Sequence, residues 1–206
     1  MSPRSSGIIP AKTGLRERKK AQTRQAIRAA AYRLFAEQGY DATPVDQIAA
    51  EADVSPSTVF RYFPTKEDIV LTDEYDAGMA EMLRSRPAEE SPLTALEMVM
   101  HESLSLLLQD PEGQAEMVQR EELVRDVPAI RSRSHESMSE TGRLLGGIIA
   151  ERSGRSADDL EVRVFTAAVF SVIHETTMYW VEQGRTEDLL PLLDRALGLL
   201  RGGLEF

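Results

Sequence analysis

The side chains best suited to chemistry lie together on one short helix that the sequence predicts in the first third of the chain. Val59 and Phe63 are four residues apart and form its buried side. Ser57, Thr58 and Arg61 are left on the outward face. Hydroxyl and guanidinium groups donate hydrogen bonds to phosphates and base edges, and an arginine can bind guanine O6 and N7 together. The spacing therefore leaves these three polar side chains available for contacts outside the fold.

Two short helices joined by a turn position these side chains. Thr43 is predicted to N-cap the first of these two short helices, which runs through Glu51. Ser55 is predicted to cap the second, with Pro56 at its first position and Pro64 ending it. Helices this short are not stable alone, so a larger structure must hold them rigid and present the second one outward. A helix-turn-helix DNA reader has this organisation.

The same segment resembles a known family. The matching positions are Gly39, Tyr40, Thr43, Ile48, Ala49, Ala52, Val54, Ser55 and every residue from Thr58 to Asp68. They resemble the N-terminal domain of the TetR family (AcrR-like) of bacterial transcriptional regulators. The resemblance covers the first third of the chain, and the stretch FRYFPTKED is its most specific part.

The resemblance implies an all-α protein of about nine helices. An N-terminal three-helix helix-turn-helix domain would be followed by a C-terminal helical bundle for ligand binding and dimerisation. We expect a disordered N-terminal arm at residues 1–14, the DNA-binding domain at 15–64, and the ligand-binding and dimerisation domain at 65–206.

Apolar residues at helical spacing predict helices along the rest of the chain. The first helix is expected from Leu15 to Gln38, with Gly39 ending it in a left-handed conformation. The fourth is expected from Thr65 to about Leu83, because apolar residues, Tyr75 among them, continue at helical spacing. The later helices are predicted at 92–109, 111–126, 128–152, 157–183 and 186–201.

DNA contacts are carried over from the family motif position by position. The outward Ser57, Thr58 and Arg61 should face the major groove. Phe60 stands where the family often has tyrosine, so no hydroxyl contact to a phosphate is implied there. Thr43, Tyr62 and Lys66 are expected at phosphates. The full set of predicted DNA-binding residues is Thr43, Ser55, Ser57, Thr58, Phe60, Arg61, Tyr62 and Lys66.

The charge distribution supports DNA binding although the net charge of the chain is −10. Residues 1–66 hold eleven basic and six acidic side chains, whereas residues 67–206 are strongly acidic. Affinity for DNA depends on local neutralisation of phosphates, so the sign of the first segment decides. The basic residues of the arm and the first helix should add a sequence-independent term: Arg4, Lys12, Arg16, Arg18, Lys19 and Lys20.

Enzymatic and membrane functions find no support. The three histidines lie on three different predicted helices, and no metal-ligand, phosphate-loop or nucleophile motif is present. We therefore expect no catalytic residue, no metal and no cofactor. No apolar run approaches the roughly 18 residues that span a bilayer. The absence of cysteine fits a cytoplasmic protein.

The last two predicted helices carry more apolar surface than a monomer needs. On the first of them the small and apolar residues are Val164, Ala167, Ala168, Ser171 and Val172, and on the second they are Leu189, Leu190, Leu192, Leu193, Leu197, Leu199 and Leu200. A helix that is apolar nearly all round must be covered on several sides. The family dimerises through these helices, so we expect a homodimer here, with a monomeric core helix as the alternative.

An effector site among the middle helices is implied by the resemblance. A methionine-rich lining adapts to irregular apolar ligands, although methionines at helical spacing also build ordinary cores. The candidate lining residues are Met98, His101, Met117, Glu121, Phe165, Val169, His174 and Met178. Some family members sense acyl-CoA thioesters, for whose phosphates Arg125, Arg131 and Arg133 would be candidates.

The sequence thus predicts a transcriptional repressor that binds a palindromic DNA operator as a homodimer and is released by a small hydrophobic effector, with an acyl-CoA as one candidate. The alternative is a helical DNA-binding accessory or nucleoid protein that has no small-molecule effector.

Overall fold

A computed structural model describes residues 15–72 and 76–204 of the 206-residue chain. The predicted disordered arm at 1–14 and Tyr75 lie outside the described residues. The described part contains ten helices and no strands, in agreement with the predicted all-α class. The helices are α1 (Leu15–Gln38), α2 (Val45–Glu51), α3 (Pro56–Tyr62), α4 (Lys66–Leu71), α5 (Asp76–Ser85), α6 (Pro92–Leu108), α7 (Pro111–Asp126), α8 (Pro128–Ser153), α9 (Leu160–Glu182) and α10 (Leu189–Arg201).

The chain divides into two compact units. The first unit contains the described residues of 1–73 together with Glu122–Ser134. The second unit contains the described residues of 74–121 and of 135–206. The end of α7 and the first turns of α8 therefore belong to the first unit, while the rest of each helix belongs to the second.

The core of the first unit is formed by α1 to α4. Ile27 of α1, Ile48 of α2 and Ile69 of α4 are completely buried, as is Phe63 just after α3. Gly39 ends α1 with a φ of 87°, the left-handed conformation predicted for it. These contacts supply the packing that α2, α3 and α4 need, because helices of six or seven residues gain little stability from their own backbone hydrogen bonds.

The predicted fourth helix is wrong in its length. α4 ends at Leu71, and a separate helix, α5, begins at Asp76. At the end of α4 the guanidinium of Arg28 donates hydrogen bonds to the carbonyl oxygens of Ile69, at 3.4 Å, and Thr72. These are carbonyls that a continuing helix would use, so an arginine from α1 caps α4 at its C-terminus. The apolar spacing continues across the break, which is why the sequence predicted one helix.

The second unit has a continuous apolar core. Side chains of α5, α6, α8, α9 and α10 meet in it, and Leu83, Leu96, Leu145 and Val169 are almost completely buried there. α8 and α9 approach closely at two glycines: a Cβ on Gly146 would lie 3.0 Å from the hydroxyl oxygen of Thr166, and one on Gly142 would lie 3.6 Å from the Cγ2 of the same threonine.

The leucines of α10 serve mainly the core of the single chain. Leu189, Leu192, Leu193 and Leu197 are buried, so one side of this helix is covered by its own chain. Leu190 and Leu200 are partly buried, and only Leu199 among the seven predicted leucines is exposed. Most of the apolar surface of α10 therefore packs within its own chain.

Candidate functional site

The turn between α2 and α3 is built by the local sequence. Asp53 adopts a φ of 52°, a left-handed conformation in which aspartate is found more often than most residues. The backbone N–H of Val54 donates to the carbonyl of Ala49 at 2.9 Å and closes the turn. Ser55 then N-caps α3 as predicted, because its hydroxyl accepts from the backbone N–H of Thr58 at 3.2 Å, and Pro56 occupies the first turn.

The outward face of α3 presents the predicted reading residues. Val59 is buried against the core, while Ser57, Phe60 and Arg61 are exposed. Thr58 and Tyr62 are partly buried, and the Arg61 guanidinium lies 5.3 Å from the centre of the Tyr62 ring.

The hydroxyls at the start of α3 form a local network. Ser55 Oγ lies 2.9 Å from both Ser57 Oγ and Thr58 Oγ1, and each pair shares a hydrogen bond. Ser55 therefore acts first as the cap of the reading helix. Ser57 and Thr58 each keep hydrogen-bonding capacity, since a hydroxyl both donates and accepts.

Thr43 is not the N-cap of α2, contrary to the prediction from the sequence. The residue at the N-cap of α2 is Pro44, which has no side-chain capping bond. Thr43 is completely buried, and its hydroxyl donates to the carbonyl of Gly39 at 2.8 Å and accepts from the Gln38 amide at 3.1 Å. Its side chain fastens the connection between α1 and α2, so we do not retain it as a phosphate contact.

Lys66 is also engaged inside the first unit. Its Nζ donates to the carbonyl of Tyr40 at 2.8 Å and to that of Thr43 at 3.2 Å, and it lies 3.9 Å from the centre of the Tyr40 ring. Two carbonyl contacts and a cation–π contact hold the start of α4 against the connection between α1 and α2. A structural role for Lys66 is therefore supported by its observed contacts, whereas the predicted phosphate contact is not.

Tyr40 and Glu67 strengthen the same connection. The Tyr40 hydroxyl donates to Glu67 Oε1 at 2.9 Å. Burial, and then this hydrogen bond, raise the pKa of Tyr40 well above its ordinary value. Burial alone would raise the pKa of Glu67, but hydrogen bonds from the backbone and from Tyr40 outweigh it and lower that pKa. The bond therefore joins a neutral phenol to a carboxylate at neutral pH.

Asp68 uses both of its carboxylate oxygens. Oδ2 accepts from the backbone N–H of Thr65 at 2.9 Å, while the Thr65 hydroxyl accepts from the Asp68 N–H at 3.2 Å, which completes a capping box. Oδ1 accepts from Nε and Nη2 of Arg133 at 3.3 Å each. The first turns of α8 are thus joined to the N-terminus of α4 by an ion pair that the sequence did not indicate.

Basic side chains line the exposed part of α1. Arg16, Arg18, Lys19 and Lys20 are all exposed, so the described residues of the predicted electrostatic patch lie where DNA phosphates could reach them. Arg24 packs over the Phe63 ring, with 5.0 Å between the guanidinium and the ring centre. Arg4 and Lys12, which belong to the same prediction, lie outside the described residues.

Comparison with known proteins identifies the family of this DNA-binding protein. Residues 27–72 match the family described as bacterial regulatory proteins, tetR family. Residues 90–205, more than half of the chain, match the MftR C-terminal domain. The chain belongs to the TetR family of bacterial regulatory proteins. The predictions of this family, of the all-α fold class and of a DNA-binding transcriptional repressor are confirmed.

Relatives of this TetR-family regulator resemble it along most of their length. The HTH-type transcriptional regulator TcmR of Streptomyces glaucescens is 34% identical over 175 residues, covering 82% of this chain and 77% of that protein. The fatty acid metabolism regulator protein of Bacillus subtilis (strain 168) is 29% identical, covering 85% and 92%. The solved structure of the transcriptional regulator FadR from Bacillus subtilis, in complex with stearoyl-CoA, is 28% identical, with a TM-score of 0.58 and coverage of 85% and 96%.

The family consists of transcriptional regulators, which are generally not enzymes. Among the residues that the structure describes, no group of three or more His, Asp or Glu side chains is arranged to hold a metal ion. No helix in residues 15–72 or 76–204 is long and apolar enough to cross a membrane.

The predicted effector residues all lie in the second unit, but in different surroundings. Val169 is buried in its core, while Met98 is 45% exposed and His101 is also exposed. Met117, Glu121, Phe165, His174 and Met178 are partly buried. The structure also brings His135 of α8 to His174 of α9, with 6.0 Å between the ring centres, a neighbour that their distance in sequence did not reveal.

We expect Lys66→Met to act on folding. Loss of the two carbonyl contacts should destabilise the first unit by about 1–3 kcal/mol, because a charged donor is removed from partly buried acceptors. The melting temperature measured without DNA should fall, while the dependence of operator affinity on salt should keep its slope. Lys20→Met, at an exposed lysine of α1, is the matched control: it should leave the melting temperature unchanged and reduce the salt slope. If Lys66→Met keeps the melting temperature and reduces the salt slope, Lys66 contacts a phosphate as the sequence predicted.

Proposed function

We propose that this regulator binds a palindromic operator as a homodimer and is released by a small hydrophobic effector, of which a long-chain acyl-CoA is the leading candidate. The observation that carries the operator part is the outward face of α3, where Ser57 and Arg61 are exposed opposite the buried Val59. Arg61 is the side chain we assign to guanine, since its fork can bind O6 and N7 together. Ser57 and Thr58 are assigned to neighbouring base edges, and Tyr62 to a phosphate.

The homodimer is supported by the exposed side of α9. Leu160 is 72% exposed, Val164 is 57% exposed, and Ala167 and Ser171 continue the same side of the helix with exposed small side chains. We call these four residues the α9 stripe. Small and apolar residues at this spacing allow a second helix to approach closely and to bury the large side chains at one end. We therefore place the dimer interface on the α9 stripe rather than on the leucines of α10, most of which are buried or partly buried.

A charge in the α9 stripe tests the homodimer. We expect Ala167→Glu to give a monomer that no longer binds the full palindrome, because two like charges would have to be buried at a two-fold contact. The mass of the free protein and of its operator complex is the measurement. Ala115→Glu introduces the same charge at an exposed alanine of α7 and should remain a dimer. If Ala167→Glu remains a dimer with wild-type operator affinity, the dimer interface does not lie on the α9 stripe.

The effector proposal rests on the relatives and on the partly buried apolar residues of the second unit. The relatives include a fatty acid metabolism regulator and a regulator solved with stearoyl-CoA. Among our candidates we retain the five that are partly buried, because such side chains can contact a ligand while they remain packed in the protein: Met117, Glu121, Phe165, His174 and Met178.

The arginines proposed for an acyl-CoA headgroup differ in their availability. Arg125 donates to both carboxylate oxygens of Asp126 at 2.7 Å, and Arg133 is paired with Asp68. Arg131 is exposed. The acyl chain is therefore better supported than any particular phosphate contact.

α8 is the element we assign to transmission. Its first turns belong to the first unit and carry Arg133, whereas His135 and the residues after it belong to the second unit. If the effector shifts α8, the ion pair between Arg133 and Asp68 would transmit the shift to the capping box of α4. α4 is the helix that directly follows the reading helix. The effector must lower the affinity for the operator by the same factor by which the operator lowers the affinity for the effector.

An effector titration with two arginine variants tests this proposal. Stearoyl-CoA at saturation should weaken operator binding by wild-type protein, and free coenzyme A should not. Stearoyl-CoA should lower the operator affinity of the wild type by a certain factor. We expect this factor to be up to about fivefold smaller in Arg133→Gln, which corresponds to the free energy of a partly exposed ion pair. Arg143→Gln, at an arginine whose guanidinium donates to the carbonyl of Ser139 within α8, should keep the wild-type factor.

Three outcomes would separate the parts of the proposal. If stearoyl-CoA neither binds wild-type protein nor releases the operator, the acyl-CoA assignment is wrong. If it releases the wild type and Arg133→Gln equally at saturation, transmission through the ion pair is wrong. A variant that needs more stearoyl-CoA but reaches full release would place Arg133 at the ligand instead.

A further inference from the structure

Phe60 differs from every other large apolar side chain that the structure describes in the first unit. It is 49% exposed, whereas the others that are exposed to a comparable degree, such as Leu160 and Val164, belong to the second unit. A single exposed apolar residue is common on protein surfaces. This one, however, lies on the seven-residue helix that the rest of the first unit presents to solvent.

The position of Phe60 on α3 places its ring beside the polar reading groups. It precedes Arg61 directly and follows Ser57 by one helical turn, and all three side chains are exposed. Ser57 and Arg61 can bind oxygen and nitrogen atoms at base edges. The phenyl ring has neither a donor nor an acceptor, so it gains nothing from those atoms.

The major groove offers one apolar feature that differs between base pairs, the C5-methyl group of thymine. A half-exposed phenyl ring gains free energy when it covers such a methyl group, because both surfaces leave water. We propose that Phe60 reads a thymine methyl group in each half-site, next to the base that Arg61 contacts. This inference deepens the DNA-binding function and does not depend on the effector or on the α9 stripe.

Deoxyuridine isolates the proposed contact, because it differs from thymidine in the major groove only by the missing methyl group. An operator is first selected from random duplexes with the full-length wild-type protein. Each thymine is then replaced in turn by uracil, symmetrically in both half-sites. We expect one position to matter for the wild type, with affinity falling about fourfold for each methyl group lost, the amount that burial of one such group contributes.

Two variants show whether Phe60 is the residue responsible. Phe60→Ala should bind the thymine operator more weakly and should no longer distinguish thymine from uracil at that position. Phe60→Tyr keeps the ring and should keep the distinction. Both should melt at the wild-type temperature, because the ring lies outside the core.

Other outcomes would overturn the proposal. If the wild type tolerates uracil at every position, or if Phe60→Ala keeps the same preference for thymine, Phe60 does not read a methyl group. If Phe60→Ala weakens thymine and uracil operators equally while the wild type still distinguishes them, the ring rests on the sugar–phosphate backbone. A wild-type protein that selects no duplex would contradict the reading face of α3 itself, and this inference with it.

Discussion

The reading helix depends on side chains that come from distant parts of the chain, because α2, α3 and α4 are too short to be stable alone. Lys66 ties the start of α4 to the carbonyls of Tyr40 and Thr43. Arg28 binds the carbonyls at the end of the same helix. α3 lies immediately before this segment, so the orientation of its outward face is set by the contacts of α4 as well as by the burial of its own Val59.

This constraint changes how the family motif is understood in this chain. Thr43 and Lys66 belong to the matching positions, yet their polar atoms are bound within the protein. We therefore propose that these two residues act by holding the reading helix in place rather than by touching DNA. We assign the DNA contacts to the side chains that α3 exposes and to the basic side chains of α1, which would separate the base-reading surface from the electrostatic one.

Much of the fold follows from local signals in the sequence. Ser55 with Pro56 and Gly39 define helix ends that depend on neighbouring residues only, and the structure has them as predicted. The errors arise where the deciding partner is remote. Arg28 ends α4 from 41 and 44 residues away, and Arg133 reaches Asp68 across 65 residues. Apolar spacing alone also cannot separate a leucine that packs in its own chain from one that awaits a partner, as α10 illustrates.

Recognition of the operator by the outward face of α3 can be tested by substituting Arg61. Operators should be selected from random duplexes with wild-type protein and with Arg61→Ala, and the two base preferences compared at one salt concentration. We expect a guanine preference at one symmetry-related pair of positions to disappear and the free energy of binding to weaken by about 1–3 kcal/mol, while the other positions keep their preferences. Unchanged base preferences together with unchanged affinity would contradict it.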